Sequence, residues 1–258
     1  WTGVFADEIC AQAAKRDDIV GITAAMMRPV GLGPMHEAYP GRVIDVGIAE
    51  AEAVASAAGM AYQGAHPVVA LYATFLNRAF DQLLMDVALH RAGVTVVLDR
   101  AGVTGADGAS HNGVWDIAMC SMIPGLRLAA PRDEETLRAR LREALDVDDA
   151  PTVIRYRKGA LPEPMPALRS VGGVDILFDE AVADSSARVL IVGTGACAPD
   201  AIEAARRLSA DGVSVTVADP QWMIPVCPEL ATLARDYDCV VSVEDGIVQG
   251  GFGWSLRD

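Results

Sequence analysis

The chain has 258 residues, 52% of them hydrophobic and 22% charged, with a formal net charge of −14. That length supports one large core or two smaller ones. So acidic a surface repels nucleic acid and anionic lipid, although a local arginine cluster can still bind a small anion inside a cleft. No apolar run is long enough for a membrane span, and the amino terminus lacks the regions of a signal peptide. The five cysteines, Cys10, Cys120, Cys197, Cys227 and Cys239, form no Cys-x-x-Cys pair and no His-Cys cluster. A zinc site is unsupported, and reduced thiols in a cytoplasmic protein are expected. The chain starts at Trp1 and stops within Gly250-Gly251-Phe252-Gly253, which reads as a portion of something longer.

Short β-rich apolar runs alternate with longer helical patterns, the signature of an α/β fold built on a parallel sheet. Strands are expected at Ile19–Thr23, Arg42–Val46, Pro67–Tyr72, Val94–Leu98, Leu126–Ala130 and Thr152–Tyr156. Helices are expected at Gly3–Lys15, Glu50–Tyr62, Thr74–Leu89, Trp115–Met122 and Asp133–Leu145. Asp133 and the pair Glu134-Glu135 put acidic groups at the positive end of the last of these helices. Pro162, Pro164 and Pro166 then interrupt the periodicity. The organisation predicted is a first domain over 1–160, a linker over 161–186 and a smaller second α/β domain over 187–258. The second has strands at Val189–Val192, Ser214–Ala218 and Cys239–Val243 and helices at Ala198–Leu208 and Pro228–Arg235. Three strands are too few for a complete open sheet, so this domain is expected to be truncated.

Ligands of open parallel sheets gather at the carboxyl ends of the strands, so residues following each strand carry the weight. Glu50 opens a helix in an apolar neighbourhood. It is either a first-turn acid favoured by the helix dipole or a desolvated carboxylate able to share a proton with a ligand nitrogen. The loop Gly105–Gly113 holds Asp107 and His111. It is a flexible connection or, as long loops in compact domains usually are, a functional one, with His111 as a proton donor or acceptor. Arg78 on the third helix reads as a solvated side chain or a cleft cation. Arg100 directly follows an apolar strand, and Lys158, after another strand end, suits a phosphate as a point charge. Asp81 and Asp86 read as surface or helix-end charges. Gly193-Thr194-Gly195 lacks the third glycine of a dinucleotide loop and reads as a tight strand-to-helix turn.

At these residues the sequence resembles the 1-deoxy-D-xylulose-5-phosphate synthase family of the transketolase superfamily. The matching segments are Asp45-Val46-Gly47-Ile48-Ala49-Glu50, then Tyr72-Ala73-Thr74-Phe75-Leu76-Asn77-Arg78, and Asp99-Arg100-Ala101-Gly102 continuing to His111. Ala130-Pro131-Arg132-Asp133-Glu134 and Arg155-Tyr156-Arg157-Lys158-Gly159 extend the match. The resemblance implies a parallel-sheet pyrimidine-binding domain of transketolase type, followed by a smaller, incomplete carboxy-terminal domain. It implies thiamine diphosphate with Mg2+, and condensation of pyruvate with a phosphorylated aldehyde, glyceraldehyde 3-phosphate, in isoprenoid precursor synthesis. Glu50 matches the glutamate that bonds the aminopyrimidine N1′ and promotes the imino tautomer. Phe75 matches the aromatic that stacks on the pyrimidine, with Tyr72 beside it. Tyr72, Arg78, Arg100, Asp107, His111 and Lys158 match positions lining the substrate site.

Three departures stand out. The family's usual Glu-Gln-His is Glu50-Ala51-Glu52 here, which motivates an alternative, a split carboligase with another donor or acceptor. Lys158 stands where many members have arginine, keeping the charge but losing bidentate geometry. The family's magnesium-binding Gly-Asp-Gly…Asn motif has no counterpart, since the two asparagines, Asn77 and Asn112, follow no such sequence. The metal is expected on a diphosphate-binding domain or subunit supplied from elsewhere, in a homodimer or heterotetramer.

Overall fold

The structure, a computed structural model, describes residues 1–257. In chain order its main elements are α1 (Thr2–Ala13), β1 (Ile19–Thr23), α2 (Gly33–Ala38), β2 (Val43–Asp45), α3 (Glu50–Ala61) and β3 (His66–Tyr72). There follow α4 (Phe80–Gln82), β4 (Thr95–Ala101), α5 (Asp116–Ser121), β5 (Arg127–Ala129), α6 (Glu134–Leu145) and β6 (Thr152–Arg157). The remainder is β7 (Arg169–Val171), β8 (Val174–Glu180), β9 (Arg188–Gly193), α7 (Ala198–Ala210), β10 (Ser214–Pro220), α8 (Pro228–Ala234), β11 (Cys239–Val243) and α9 (Phe252–Arg257).

The first six strands form one sheet in the order β2-β1-β3-β4-β6-β5, and every pairing in it is parallel. Such a sheet must be covered on both faces, and alternation along the strands shows how. Val69 and Leu71 of β3 with Val96 and Leu98 of β4 face α3, meeting Ala53, Val54 and Ala57. Val68 and Ala70 with Val97 face the opposite layer, meeting Phe5 and Ile9 of α1 and Leu137 and Leu141 of α6. Each fully buried Phe, Ile or Leu contributes roughly 1.5–3 kcal/mol. Asp133 caps α6, accepting from the Thr136 amide at 3.0 Å while Thr136 Oγ1 accepts from the Asp133 amide at 3.0 Å.

The second sheet has five strands, in the order β11-β9-β10-β8-β7. β9 is parallel to β10 and β11, whereas β8 and β7 add antiparallel pairings. Both antiparallel strands lie inside the stretch expected to be a linker, and they raise the expected three strands to five. Val171-Gly172-Gly173-Val174 is why that stretch folds. Gly172 and Gly173 both take positive φ, a conformation glycine adopts without strain, and so turn β7 back onto β8. The three prolines sit before β7, outside the pairing.

One face of the second sheet (Leu177, Ile191, Val215, Val217) packs on Ala198, Ala201 and Ala205 of α7. The other face (Ile176, Leu190, Val192, Ala218) joins the same apolar cluster as α3, Ile117 and Leu128 of the first unit. The two sheets therefore share a core.

The expected helix Thr74–Leu89 is three successive geometries: 3-10 turns over Ala73–Ala79, the single α-turn α4, and a π-helical stretch Leu83–Ala88. Such mixtures are common where a helix must aim side chains at a site. Among the described residues, no helix is long and apolar enough to cross a membrane.

Candidate functional site

The carboxyl ends of β3, β4 and β6 carry a continuous chain of aromatic and charged contacts. Glu50 is the first residue of α3, following the left-handed turn at Gly47 (φ +74°). Its carboxylate is 3% exposed and accepts a hydrogen bond from Arg78 Nη1 at 2.8 Å. Arg78 is half-exposed, and its guanidinium carbon lies 4.5 Å from the centroid of the Phe75 ring. A flat, N–H-bearing cation thus rests on Phe75 while bonding a buried carboxylate.

Phe75 stacks on Tyr72 with centroids 6.1 Å apart and planes 16° apart, and takes the edge of His111 at 5.7 Å. The face of Tyr72 receives Arg100, whose guanidinium carbon is 4.1 Å from the ring centre. Arg100 donates to one oxygen of Asp107 at 2.8 Å, and Lys158 to the other at 2.8 Å. The eight residues singled out from sequence, Glu50, Tyr72, Phe75, Arg78, Arg100, Asp107, His111 and Lys158, are thereby linked in one network. None of them stands apart from it.

Electrostatics follow from these contacts. Lys158, and then Arg100, hold the Asp107 carboxyl below its ordinary range. Burial pushes the Tyr72 phenol up, with the Arg100 charge opposing. Burial also raises Asp99 at the end of β4, tempered by a 2.6 Å hydrogen bond from Thr2 Oγ1. Arg100 itself takes φ +61°, unusual for a residue with a side chain and the kind of strain kept at binding sites. It turns the guanidinium back over Tyr72 rather than along the strand. Glu52 is exposed and bonded by Ser56 Oγ at 2.7 Å, so its added charge is held by its own helix and not by Glu50.

Several supporting residues were not foreseen. Thr74 Oγ1 donates to the Ser110 carbonyl at 3.0 Å, and Asn112 Oδ1 accepts from the Thr104 amide at 3.0 Å. Ser110 Oγ bonds His111 Nδ1 at 3.0 Å. Gly102 and Gly113 close the loop's stem through reciprocal backbone bonds of 2.9 and 2.8 Å. A Cβ on Gly113 would meet Ala73 Cβ at 2.5 Å, so only glycine fits there. The sequence signal was weak, because polar loop residues look alike until the stem is seen to close.

Gly195, in the turn after β9, takes φ +51° and packs on the Ala130 backbone; it makes a tight strand-to-helix turn, as expected of Gly193-Thr194-Gly195. Among the described residues, no group of three or more His, Cys, Asp and Glu side chains gathers for a metal ion.

The chain matches two family models, "Transketolase, pyrimidine binding domain" over residues 1–164 and "Transketolase, C-terminal domain" over residues 180–257. It is 58% identical to 1-deoxy-D-xylulose-5-phosphate synthase 2 of Kitasatospora griseola over 99% of this chain and 41% of that protein. It is 56% identical to the 1-deoxy-D-xylulose-5-phosphate synthase of Pseudarthrobacter chlorophenolicus over 100% of this chain and 39% of that one. The chain therefore spans about two fifths of the length of these curated relatives. Among solved structures it is similar to a split-gene transketolase described as an inactive β4 tetramer, with TM-score 0.83 and 26% identity over 98% of this chain and 82% of that one. The transketolase of Leishmania mexicana shares the fold, with TM-score 0.80 and 22% identity over 97% of this chain and 39% of that one.

Proposed function

The chain belongs to the transketolase family, and from that premise we propose that it forms the pyrimidine side of the active site of a 1-deoxy-D-xylulose-5-phosphate synthase. In this reading the enzyme condenses pyruvate with glyceraldehyde 3-phosphate, releasing CO2, on the route to isoprenoid precursors. One observation carries the assignment: the Arg78 guanidinium, planar and rich in N–H donors, rests on Phe75 and bonds the buried Glu50. That sandwich has the chemistry needed to hold an aminopyrimidine ring, which is likewise planar and offers N–H groups at its edge. Arg78 is half-exposed and has room to move aside.

When bound, thiamine diphosphate supplies the acidic thiazolium carbon that adds to a 2-oxo acid and takes up the electrons released with CO2. Glu50 accepts the hydrogen bond from the ring nitrogen. Its burial strengthens that bond, because no water competes for the carboxylate. Phe75 fixes the ring plane. Arg78, released from Glu50, meets the carboxylate of the donor substrate, while Arg100 and Lys158 bind the phosphate of the acceptor, replacing their hydrogen bonds to Asp107. His111, with Nδ1 engaged by Ser110, presents Nε2 for proton transfer to the acceptor's developing alkoxide.

We place the magnesium and the diphosphate with a domain or subunit outside these residues, because the matched segments are the pyrimidine-binding and carboxy-terminal domains alone. A homodimer or a heterotetramer would bring the two parts together, and a cytoplasmic location fits the reduced cysteines. The alternative donor or acceptor suggested by Glu52 is not favoured. That side chain is turned to its own helix and solvent, and relatives 53–58% identical carry the deoxyxylulose-phosphate synthase name.

The test is Glu50→Gln in the enzyme carrying its diphosphate-binding portion. Turnover of pyruvate with glyceraldehyde 3-phosphate should fall ~10³-fold or more, with folding by circular dichroism unchanged. Turnover within a few-fold of the parent would remove Glu50 from its role. Failure of the parent enzyme to form deoxyxylulose phosphate would remove the reaction itself.

A further inference from the structure

One carboxylate of the carboxy-terminal unit, Asp245, reaches both ends of the substrate loop. Arg155 lies on β6, three residues before Lys158, among the apolar side chains that face α3. Its guanidinium is 3% exposed. Nε donates to Asp116 Oδ2 at 2.7 Å and Nη1 to Asp245 Oδ1 at 2.6 Å. Nη2 is buried without a hydrogen-bond partner, so the two carboxylates carry the pairing of this guanidinium. Asp116, fully buried, begins α5 three residues after Gly113 and so stands at the exit of the loop.

Asp245 comes from the other unit, two residues beyond β11. Its second oxygen lies beside Gly102, at the loop's entrance, where an added Cβ would clash with it. Around it the two units are closely fitted. The Ile247 amide donates to the Val114 carbonyl at 3.0 Å, and added Cβ atoms on Gly246 and Gly250 would stand 3.0 Å from Ile117 Cδ1 and Ala118 Cβ. One carboxylate thus references both ends of the segment that carries Asp107 and His111. It reaches the entrance by contact and the exit through Arg155.

We propose that Asp245 is a positioning residue, through which the carboxy-terminal unit sets the stem of the Gly102–Gly113 loop and so places His111 beside the phosphorylated acceptor and Asp107 where the acceptor's phosphate displaces it. This rests on the reaction proposed above for its kinetic consequence, but not for its structural one. An ion pair shared across two units fixes a loop better than either pair alone, since removing one partner leaves the buried guanidinium half-satisfied and the stem free to shift.

The experiment uses the full enzyme and two opposite changes. Asp245→Asn keeps the shape and removes the charge. Asp245→Glu keeps the charge and adds a methylene that must push on Gly102. For both, the KM for glyceraldehyde 3-phosphate should rise ~10-fold with kcat within about threefold, and thiamine diphosphate affinity by calorimetry should stay unchanged. Backbone amides of Thr104–Asn112 should exchange with deuterium ~10-fold faster. Arg132→Leu, which breaks a different contact between the units, should lower stability without either effect.

If Asp245→Asn fails to fold, the glutamate variant decides alone. Unchanged exchange in Thr104–Asn112 overturns the proposal, as does faster exchange with an unchanged KM, or a loss of stability matching Arg132→Leu with nothing more. Should the parent enzyme make no deoxyxylulose phosphate, the reaction fails as a reading while the exchange measurement still decides the tether.

Discussion

Arg132, Arg140 and Arg155 of the first unit all reach across to the second, and two of them, Arg132 and Arg155, are built to different ends. Arg132 follows β5 and donates to Asp175 at 2.7 Å and Asp219 at 2.9 Å, both in the carboxy-terminal sheet, and to the Met165 carbonyl at 2.9 Å. Gln221 completes Asp175 at 2.9 Å. This cluster is buried and touches no residue of the cleft network. Arg155 takes one carboxylate from each unit and has the substrate loop on both sides. The contrast separates two jobs that ion pairs do between domains. A cation whose two hydrogen-bonded carboxylates both lie in the opposite unit fastens that unit. A cation shared between units at a loop's two ends transmits where the second unit sits. Buried pairs are weak evidence of net stability, but breaking one is costly, because it strands the remaining charge.

The sharpest way to break the comparison is Arg132→Leu. It leaves the buried Asp175 and Asp219 without the guanidinium they share, and denaturant unfolding should show a loss of about 3–5 kcal/mol. The KM for each substrate should stay within twofold. A substrate KM that moved instead would make the two arginines equivalent.

A smaller effect comes from pH. Burial pushes the Asp219 carboxyl up to about 7, although Arg132 draws it down, and its Oδ1 has no hydrogen-bond partner. A carboxyl raised in the folded state holds its proton there after the unfolded chain has lost it. The stability it confers is therefore complete below about pH 4 and is lost as pH rises to about 7. Asp219→Asn cannot titrate, so the difference in unfolding free energy between parent and variant should shift by about 2–4 kcal/mol across that window, against the parent. A constant difference would mean that Asp219 stays ionised throughout. Asp116, on the other arginine, is also raised by burial, but its partner is shared with Asp245, and its seam should respond through the loop rather than through unfolding alone.

How far the sequence disclosed this arrangement depends on the kind of residue. The parallel sheet was legible because β3, β4 and β6 are apolar runs buried on both faces, a pattern few other structures produce. The cleft residues were legible because they follow strand ends and share motifs with a known family. The seams were not. Arg155 had a signal, a charge in the middle of the buried run Thr152–Tyr156, which a sheet interior accepts only when paired. Its partners, 39 and 90 residues away, come together only through the shared core. β7 and β8 were hidden by neighbouring prolines and by Gly172-Gly173, which read as breakers although they serve as a turn. The uneven helix after β3 was also hidden, since 3-10 and π turns share the apolar spacing of an α-helix over so short a stretch.

The smallest expected effect tests the far end of the same strand. Lys158 lies three residues beyond Arg155 and donates to Asp107 at 2.8 Å with its side chain partly exposed. An ammonium meets a phosphate as a point charge, whereas a guanidinium can offer two parallel N–H groups. Lys158→Arg should therefore lower the KM for glyceraldehyde 3-phosphate about two- to fivefold, less than 1 kcal/mol, with the pyruvate KM unchanged. The same change strengthens the pairing with Asp107, which the phosphate must displace, so the gain is the difference between two improved contacts and stays small. In the Asp245→Asn background the gain should vanish, because a bidentate contact needs the loop that seats the acceptor held at a fixed distance from β6. A gain that survives in that background would show that residue 158 meets the phosphate without help from the loop that Asp245 positions.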